Sequence, residues 1–407
     1  MTRVSASQPS PMIEIPTGKD RPIRLSRDRL DVIAECQGPP GVTGDEARRM
    51  VTAAVFSPGD GPPLAAHVVA GDRVVLAVAG GLPQEDEVVS AVVACLAAAG
   101  IPQESITVVR PWHRRLEPLA GGVSTVIFDP SDEASTAYLA ADEQGNPIYL
   151  PRIMVDADVV VLLGACAWDP ALGGQGFEGE IWPLFGRAEA AASFLRSLAV
   201  RPKAERRKGR AAVRLVEWQL GVCASLELVG GRGDSLAAAS FGLPDLAERA
   251  ARRAARAGWS PQISRSAELA VVTLRGDAHS WADVVRGLAA ASRVTYPDGT
   301  ICVVSRLDEE PGIVMSRWRQ GVPLRPLVQE AVASGDPQLD LDAVCTRQAA
   351  RWLGGRRLVL LSSLEEQKVE SLQFGHAETV DDVERLCRSA ESLIILREAD
   401  RMLPRLG

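Results

Sequence analysis

Four histidines in 407 residues, His67, His113, His279 and His376, make a short list from which any metal or acid–base hypothesis must start. His113 stands in Pro111-Trp-His113-Arg114-Arg115, directly after an apolar run, 106–109, that reads as a strand. A residue just past the C-terminal end of a parallel strand sits where open α/β sheets place their ligands. Imidazole exchanges protons near neutral pH, and guanidinium groups pair bidentately with carboxylate or phosphate. The functional reading is proton transfer at His113 beside an anion held by Arg114; the plain one is a basic surface loop.

A second group lies further on. Gly174-Gln-Gly176-Phe-Glu-Gly179 has the spacing G-x-G-x-x-G. A dinucleotide fingerprint needs that motif directly between a strand and a helix, with an acid about twenty residues on. Here residues 165–173 separate it from the strand end, so classical NAD binding is not expected. Gly174, Gly176 and Gly179 either cradle a phosphate with backbone N–H groups or form a plain tight loop. Trp168 and Asp169 precede them, and Asp169 either orients a ligand or caps the turn before Pro170. Glu178 and Glu180 offer oxygens to a hard cation. With no further ligands beside them in sequence they read as exposed, and Cys166 as a buried small residue. Asp277, His279, Trp281 and Arg286 cluster after the apolar run 268–274. There Asp277 or Ser280 caps a helix, and Arg286 faces an interdomain cleft or solvent.

The elements that must position these residues alternate in type. Residues 73–79 read as a buried strand, broken at 80–83. A helix follows with Val88, Val92, Cys95, Leu96 and Ala99 on one face, ended by Gly100, and then strand 106–109. Thr43-Gly-Asp-Glu46 has capping-box spacing and opens a helix through Phe56. Strands are expected at 157–163, 268–274, 299–305, 357–361 and 392–396. Helices are expected at 187–200, from Pro244 to about 257, and at 280–293. The basic run 201–210 reads as a solvated helix end or loop. Strand–helix–strand order implies α/β architecture with largely parallel sheets. A chain of this length exceeds one ordinary core, so two α/β domains are expected. Residues 1–11 read as a disordered lead, 12–260 as the N-terminal domain and 261–390 as the C-terminal one. The segment 391–407 is expected to pack back on the first domain.

Composition narrows the classes. Hydrophobic residues at 46% and charged residues at 24% are globular values. A net charge of −7 argues against a general nucleic-acid binder. No apolar run is long enough to span a bilayer, and the first residues lack the apolar core of a signal peptide. Seven cysteines without a C-x-x-C pair read as reduced thiols of a cytoplasmic protein.

Residues 145–186 contain an apolar strand, then L-G-A-C-A-W-D-P, then G-G-Q-G-F-E-G-E and Pro183-Leu-Phe-Gly186. This segment resembles the centre of the nickel-dependent lactate racemase family. The resemblance extends through I-E-I-P-T-G-K-D, G-D-R-V-V-L-A-V-A and Y-P-D-G-T-I-C-V-V-S, and so covers nearly the whole chain. It implies two α/β domains around a cleft that holds a nickel-pincer nucleotide. That cofactor takes a hydride from C2 of a 2-hydroxy acid and returns it to either face, with two histidines as general bases. Pro111-Trp-His113-Arg114 stands where the family has Gly-Thr-His-Arg, so the resemblance makes His113 catalytic. It assigns Arg114, Trp168, Asp169 and Arg286 to the substrate, and Gly174, Gly176 and Gly179 to the cofactor loop.

The chain departs from the family pattern at several anchors. No acid or arginine stands at 79–83, where the family has Asp-x-x-Arg. The second histidine falls near Trp168 or Asp169. The cofactor lysine falls at Gly179 or Glu180, and 187–200 has no nickel-ligand histidine. The expectation is a lactate racemase-like protein acting on or binding a small anionic 2-hydroxy acid, or else a non-catalytic ligand-binding or regulatory homologue. The family implies the nickel-pincer nucleotide as cofactor, but its attachment lysine is missing here and no residue is assigned to a metal. The expected partner is a small-molecule carboxylate, with no nucleic acid and no membrane; a homo-oligomer or a partner subunit completes the list.

Overall fold

The computed structural model describes residues 12–17, 21–59, 61–111, 122–142, 145–200 and 202–407. The chain forms two compact units, one of residues 38–260 with 328–344, the other of 1–37, 261–327 and 345–407. It opens in the second of these with a hairpin, β1 (Met12–Ile15) and β2 (Ile23–Ser26), whose alternation buries Ile13, Ile15, Ile23 and Leu25. β3 (Val32–Cys36) follows.

The first unit runs through α1 (Gly44–Phe56), β4 (Val74–Val78), α2 (Glu85–Ala98), β5 (Ile106–Pro111) and β6 (Ser124–Phe128). A hairpin of β7 (Thr136–Ala141) and β8 (Pro147–Pro151) leads to α3 (Arg152–Val155) and β9 (Val159–Ala165). A short ribbon, β10 (Trp168–Asp169) with β11 (Gly174–Gln175), precedes α4 (Ala188–Val200) and α5 (Pro202–Leu220). β12 (Ala224–Gly230), β13 (Leu236–Gly242) and α6 (Pro244–Trp259) complete it.

Its sheet has the order β13-β12-β9-β4-β5-β6, parallel except for the β12–β13 pair. β4 and β9 are apolar almost throughout because central parallel strands are covered on both faces. α2 starts with Glu85, Asp86 and Glu87, which complement the positive end of the helix dipole. Gly100, at φ 91°, turns the chain after that helix. The capping box expected at Thr43 does not form, since the Thr43 side chain makes no cap hydrogen bond. Instead the Gly44 N–H donates to Gln84 Oε1 at 2.7 Å, so a residue from the start of α2 answers the helix end.

The second unit resumes with β14 (Gln262–Ile263), β15 (Ala267–Thr273), α7 (Trp281–Ala291) and β16 (Thr295–Val304). Then come α8 (Ile313–Arg319), α9 (Leu324–Ser334), α10 (Pro337–Leu353) and β17 (Arg357–Leu361), with residues 328–344 of α9 and α10 belonging to the first unit. α11 (Glu366–Ser371), β18 (Gly375–Ala377), α12 (Val380–Ser389), β19 (Leu393–Leu396) and β20 (Arg405–Leu406) end the chain. The sheet, β18-β17-β16-β15-β19-β3, is parallel throughout.

Three assignments differ from the sequence reading, the first being that residues 328–344, expected in the C-terminal domain, belong to the unit of 38–260. The segment from 391, expected on the N-terminal domain, supplies β19 inside the second sheet, and β20 pairs with β14. Residues 12–36, expected in the N-terminal domain, belong to the second unit as well. The cause in these last two cases is the four-residue run Leu393–Leu396, buried at every position. Such a strand needs a neighbour on each side, and β15 and β3 provide them. Among the described residues no helix is long and apolar enough to cross a membrane.

Candidate functional site

β9 and β12 run side by side and parallel, with Glu227 paired opposite Gly164. Glu227 interrupts an otherwise apolar strand core and is 5% exposed. A Cβ on residue 164 would stand 2.7 Å from Glu227 Oε1 and 2.8 Å from the Gly179 carbonyl oxygen. Glycine at 164 thus makes the room this carboxylate occupies. The loop after β9 folds back on the strand end at Gly179, where a Cβ would fall 1.9 Å from the Ala165 carbonyl oxygen. That close approach of two backbones turns the next residue, Glu180, inward to 5% exposure.

α5 and α6 close the site. Arg210 pairs with Glu180, donates to the Gly176 carbonyl and lies 4.5 Å from the Phe177 ring centroid. Gln175 Nε2 donates to Glu180 Oε1 at 3.0 Å. Glu248 pairs with Arg252 one helical turn away and stands 3.9 Å from Arg210. Glu217, from α5, completes a ring of four carboxylates around a cavity of about 10 Å3, with Arg214 also on its wall. That volume is room for one water molecule. Glu227 makes no hydrogen bond or ion pair among the described residues.

The charges do not balance, and the acids respond. Burial first, then Glu180, Glu217 and Glu248, push Glu227 well above the usual carboxylate range. Burial first, then Glu180 and Glu248, push Glu217 up to about 8. Burial also raises Glu180, with Arg210 pulling the other way. The neighbouring Cys166 thiol is pushed up by burial and by Glu227. At neutral pH the cluster therefore stores protons beside the C-terminal ends of two parallel strands, a position and a chemistry typical of functional sites. Among the described residues no three histidine, cysteine or acidic side chains are arranged to hold a metal ion.

The residues singled out in the sequence distribute as follows. His113 and Arg114 lie outside the described residues. The Trp168 indole N–H donates to the Ala255 carbonyl at 3.2 Å, and Asp169 Oδ1 accepts from the Leu172 N–H at 2.8 Å, closing a turn. Gly174, Gly176 and Gly179 share that loop. A Cβ at 174 would stand 2.4 Å from an Arg206 nitrogen, and Arg206 itself donates to the Leu172 carbonyl. Arg286 lies in the other unit, on α7, 3.2 Å from Asp283. It also acts on Asp400, whose carboxyl burial pushes up to about 7. His279 closes a loop: its Nδ1 accepts from the Arg306 N–H at 2.8 Å and its Nε2 stands 3.1 Å from the Gly276 carbonyl.

Two readings are corrected. Glu180 is buried while Glu178 is exposed, because the contact at Gly179 turns only the second acid inward. The run 201–210, expected as a solvated helix end or loop, opens the 19-residue α5 from Pro202, and the departure is that Arg206 and Arg210 are directed at the glycine-rich loop and not at solvent. Sequence reasoning missed Glu217, Glu227 and Glu248. A lone glutamate inside the apolar run of β12 was the available signal. A larger cavity, about 540 Å3, opens at the opposite edge of the same sheet between Val75, Thr107, Phe128 and Ile153. Arg73 on its wall is already paired with Asp158 at 3.0 Å.

No family model and no curated protein matches this sequence. Among solved structures the chain is similar to the lactate racemase apoprotein from Thermoanaerobacterium thermosaccharolyticum. The TM-score is 0.74 at 15% identity, covering 97% of this chain and 100% of that one. A protein from Thermotoga maritima matches with TM-score 0.64 at 13% identity, covering 91% of this chain and 100% of its own. At such identities the likeness is one of fold: two lactate racemase-like α/β units with largely parallel sheets.

Proposed function

We propose, with the lactate racemase-like fold as premise, that this chain binds a small anionic 2-hydroxy acid or a related carboxylate and carries no covalently attached nickel-pincer nucleotide. The observation that carries the second half is at Gly179 and Glu180, where the resemblance sets the cofactor lysine. A side chain at 179 would collide with the Ala165 carbonyl, its Cβ only 1.9 Å away. Glu180 is buried and held by Arg210 and Gln175. α4, where the family's nickel ligand belongs, contains no histidine. The residues present do not fit the group, and its hydride chemistry is not assigned to this chain.

The binding half rests on groups suited to a hydroxy acid. Arg114 holds the carboxylate. His113 shares a proton with the 2-hydroxyl group. Trp168 and Asp169, fixed by their backbone contacts, form a wall of the site. Gly174, Gly176 and Gly179 serve the packing of the loop on β9 and α5.

The test is to co-express the chain with the enzymes that make the cofactor, then measure nickel content and intact mass, and titrate both enantiomers of lactate and longer 2-hydroxy acids by calorimetry. The expected result is an unmodified mass, no nickel, one-site binding without interconversion of enantiomers, and affinity at least about tenfold weaker in Arg114→Ala. Near-stoichiometric nickel with an added nucleotide mass would overturn the proposal, as would the absence of binding by every acid tried.

A further inference from the structure

The cavity of about 540 Å3 in the first unit shares no residue with the glutamate cluster or the glycine-rich loop. Its floor is one face of β4, β5 and β6. Val75 pairs opposite Thr107, and Thr107 opposite Ser124. Val126 and Phe128, two and four residues beyond Ser124, therefore point to the same side as Val75 and Thr107. The corner where β8 ends at Pro151 and α3 begins at Arg152 makes another wall, with Ile153 and Ala157. The volume falls within the roughly 300–1,000 Å3 of small-molecule pockets, and a mostly apolar lining with a few polar groups is what such pockets present.

Four charged residues on its wall, Arg73, Glu104, Arg152 and Asp156, are exposed. Arg73 is already answered: its Nε and Nη2 donate to the two oxygens of Asp158 at 3.0 and 3.2 Å. The other three are not. Arg152 and Asp156 stand four residues apart, one helical turn, with the Asp156 N–H donating to the Arg152 carbonyl at 2.8 Å. Side chains so spaced leave the backbone on one side, roughly 5–6 Å apart at Cβ. Yet they do not pair with each other. Arg152 Nη2 donates to the Thr136 carbonyl at 3.1 Å, and Asp156 acts on Arg73 only beyond ion-pair distance. Among the described residues the carboxylates of Asp156 and Glu104 accept no hydrogen bond and Arg152 has no ion pair.

Two unpaired charges of opposite sign beside an apolar floor select among guests. A wholly apolar molecule would strip water from both and return no hydrogen bond. A lone carboxylate suits the Arg152 fork but meets Asp156, with Glu104 adding to the repulsion. A lone amine suits the two acids but meets Arg152. An α-amino acid carries both charges on one carbon, and its side chain continues from that carbon into the cavity. We propose that this cavity binds a free α-amino acid with a large apolar side chain, its carboxylate on Arg152, its ammonium toward Asp156, and its side chain over Val75, Val126 and Phe128.

The test uses the full-length protein. L-Phenylalanine and L-leucine are titrated by calorimetry. 3-Phenylpropionate, which lacks the amine, phenethylamine, which lacks the carboxylate, and glycine, which lacks the apolar body, serve as controls. The same titrations follow on Arg152→Gln and Asp156→Asn, both at exposed positions, and on Val126→Trp, which fills the floor. Thermal midpoints in plain buffer establish that each variant is folded. The expected result is saturable one-site binding of phenylalanine or leucine, with a thermal midpoint that rises with its concentration. Each control and each charge variant is expected to bind at least about tenfold more weakly, and Val126→Trp to lose binding. No saturation by either amino acid, an affinity for the acid or the amine equal to that for phenylalanine, or unchanged affinity in both folded charge variants would overturn the proposal.

Discussion

Among the described residues Glu227 has no ion pair and stands beside three other carboxylates, and its cost is set by pH. The sign follows from where its proton sits. In the unfolded chain Glu217 and Glu227 titrate near the ordinary glutamate value of about 4.3. In the folded chain they hold their protons to higher pH, Glu217 to about 8. The folded state thus binds more protons, and their contribution is complete below about pH 4 and lost as pH rises toward the folded values. Each group lowers stability by about 1.4 kcal/mol per pH unit inside that window. Asp400, pushed up to about 7, adds to the same trend. Glu227→Gln is therefore expected to leave the thermal midpoint near pH 4 almost unchanged and to raise it at pH 8, measured by calorimetry from pH 4 to 8. Curves for the two proteins that run parallel would contradict this assignment. Part of this was legible in the sequence, because a glutamate inside A-S-L-E-L-V-G breaks the pattern of a buried strand. Its company was not, because Glu180, Glu217 and Glu248 reach it from a loop and two helices distant in the chain.

Helix ends separate what local pattern can show from what it cannot. Thr43-Gly-Asp-Glu46 and Ser280-Trp-Ala-Asp283 present similar spacings. At Ser280 the box closes: the Asp283 carboxylate accepts from the Ser280 N–H at 2.9 Å, and the Ser280 hydroxyl oxygen accepts in return from the Asp283 N–H. At Thr43 the start of α1 is answered by Gln84, forty positions away. Ser280→Ala is accordingly expected to cost about 1 kcal/mol, and Thr43→Ala less than about 0.5 kcal/mol, in urea unfolding. Equal losses would mean that the Thr43 hydroxyl caps its helix in solution. Strands 357–361 and 392–396 were recognisable from four or five consecutive apolar positions. The inward role of Arg206 and Arg210 was not, because they acquire it only against a loop that folds separately.

The larger architecture was legible as a class and not as a partition. Alternating strands and helices announce parallel sheets, but no periodicity states which sheet a five-residue strand joins. V-I-A-E-C suits either one, and its place beside β19 is decided by a pairing across most of the chain. Hydrogen exchange on the whole protein tests this. The alternate amides of Val32–Cys36 that face β19 are expected to be protected with Leu393–Leu396, and the others to exchange fast, as in an edge strand. Fast exchange at every amide of β3 alongside a protected β19 would remove β3 from the second sheet.

That same pairing has a consequence for how the protein is made. β3 ends at Cys36 and its partner strand starts at Leu393. At roughly 5–20 residues per second a ribosome needs about 20–70 s to bridge that gap. Throughout that interval the apolar face of the first hairpin has no sheet to cover it, while residues 38–260 emerge and then 328–344, which complete their unit. Once residue 344 has emerged, the unit of 38–260 with 328–344 is complete in sequence while the sheet that receives β3 still lacks β17, β18 and β19.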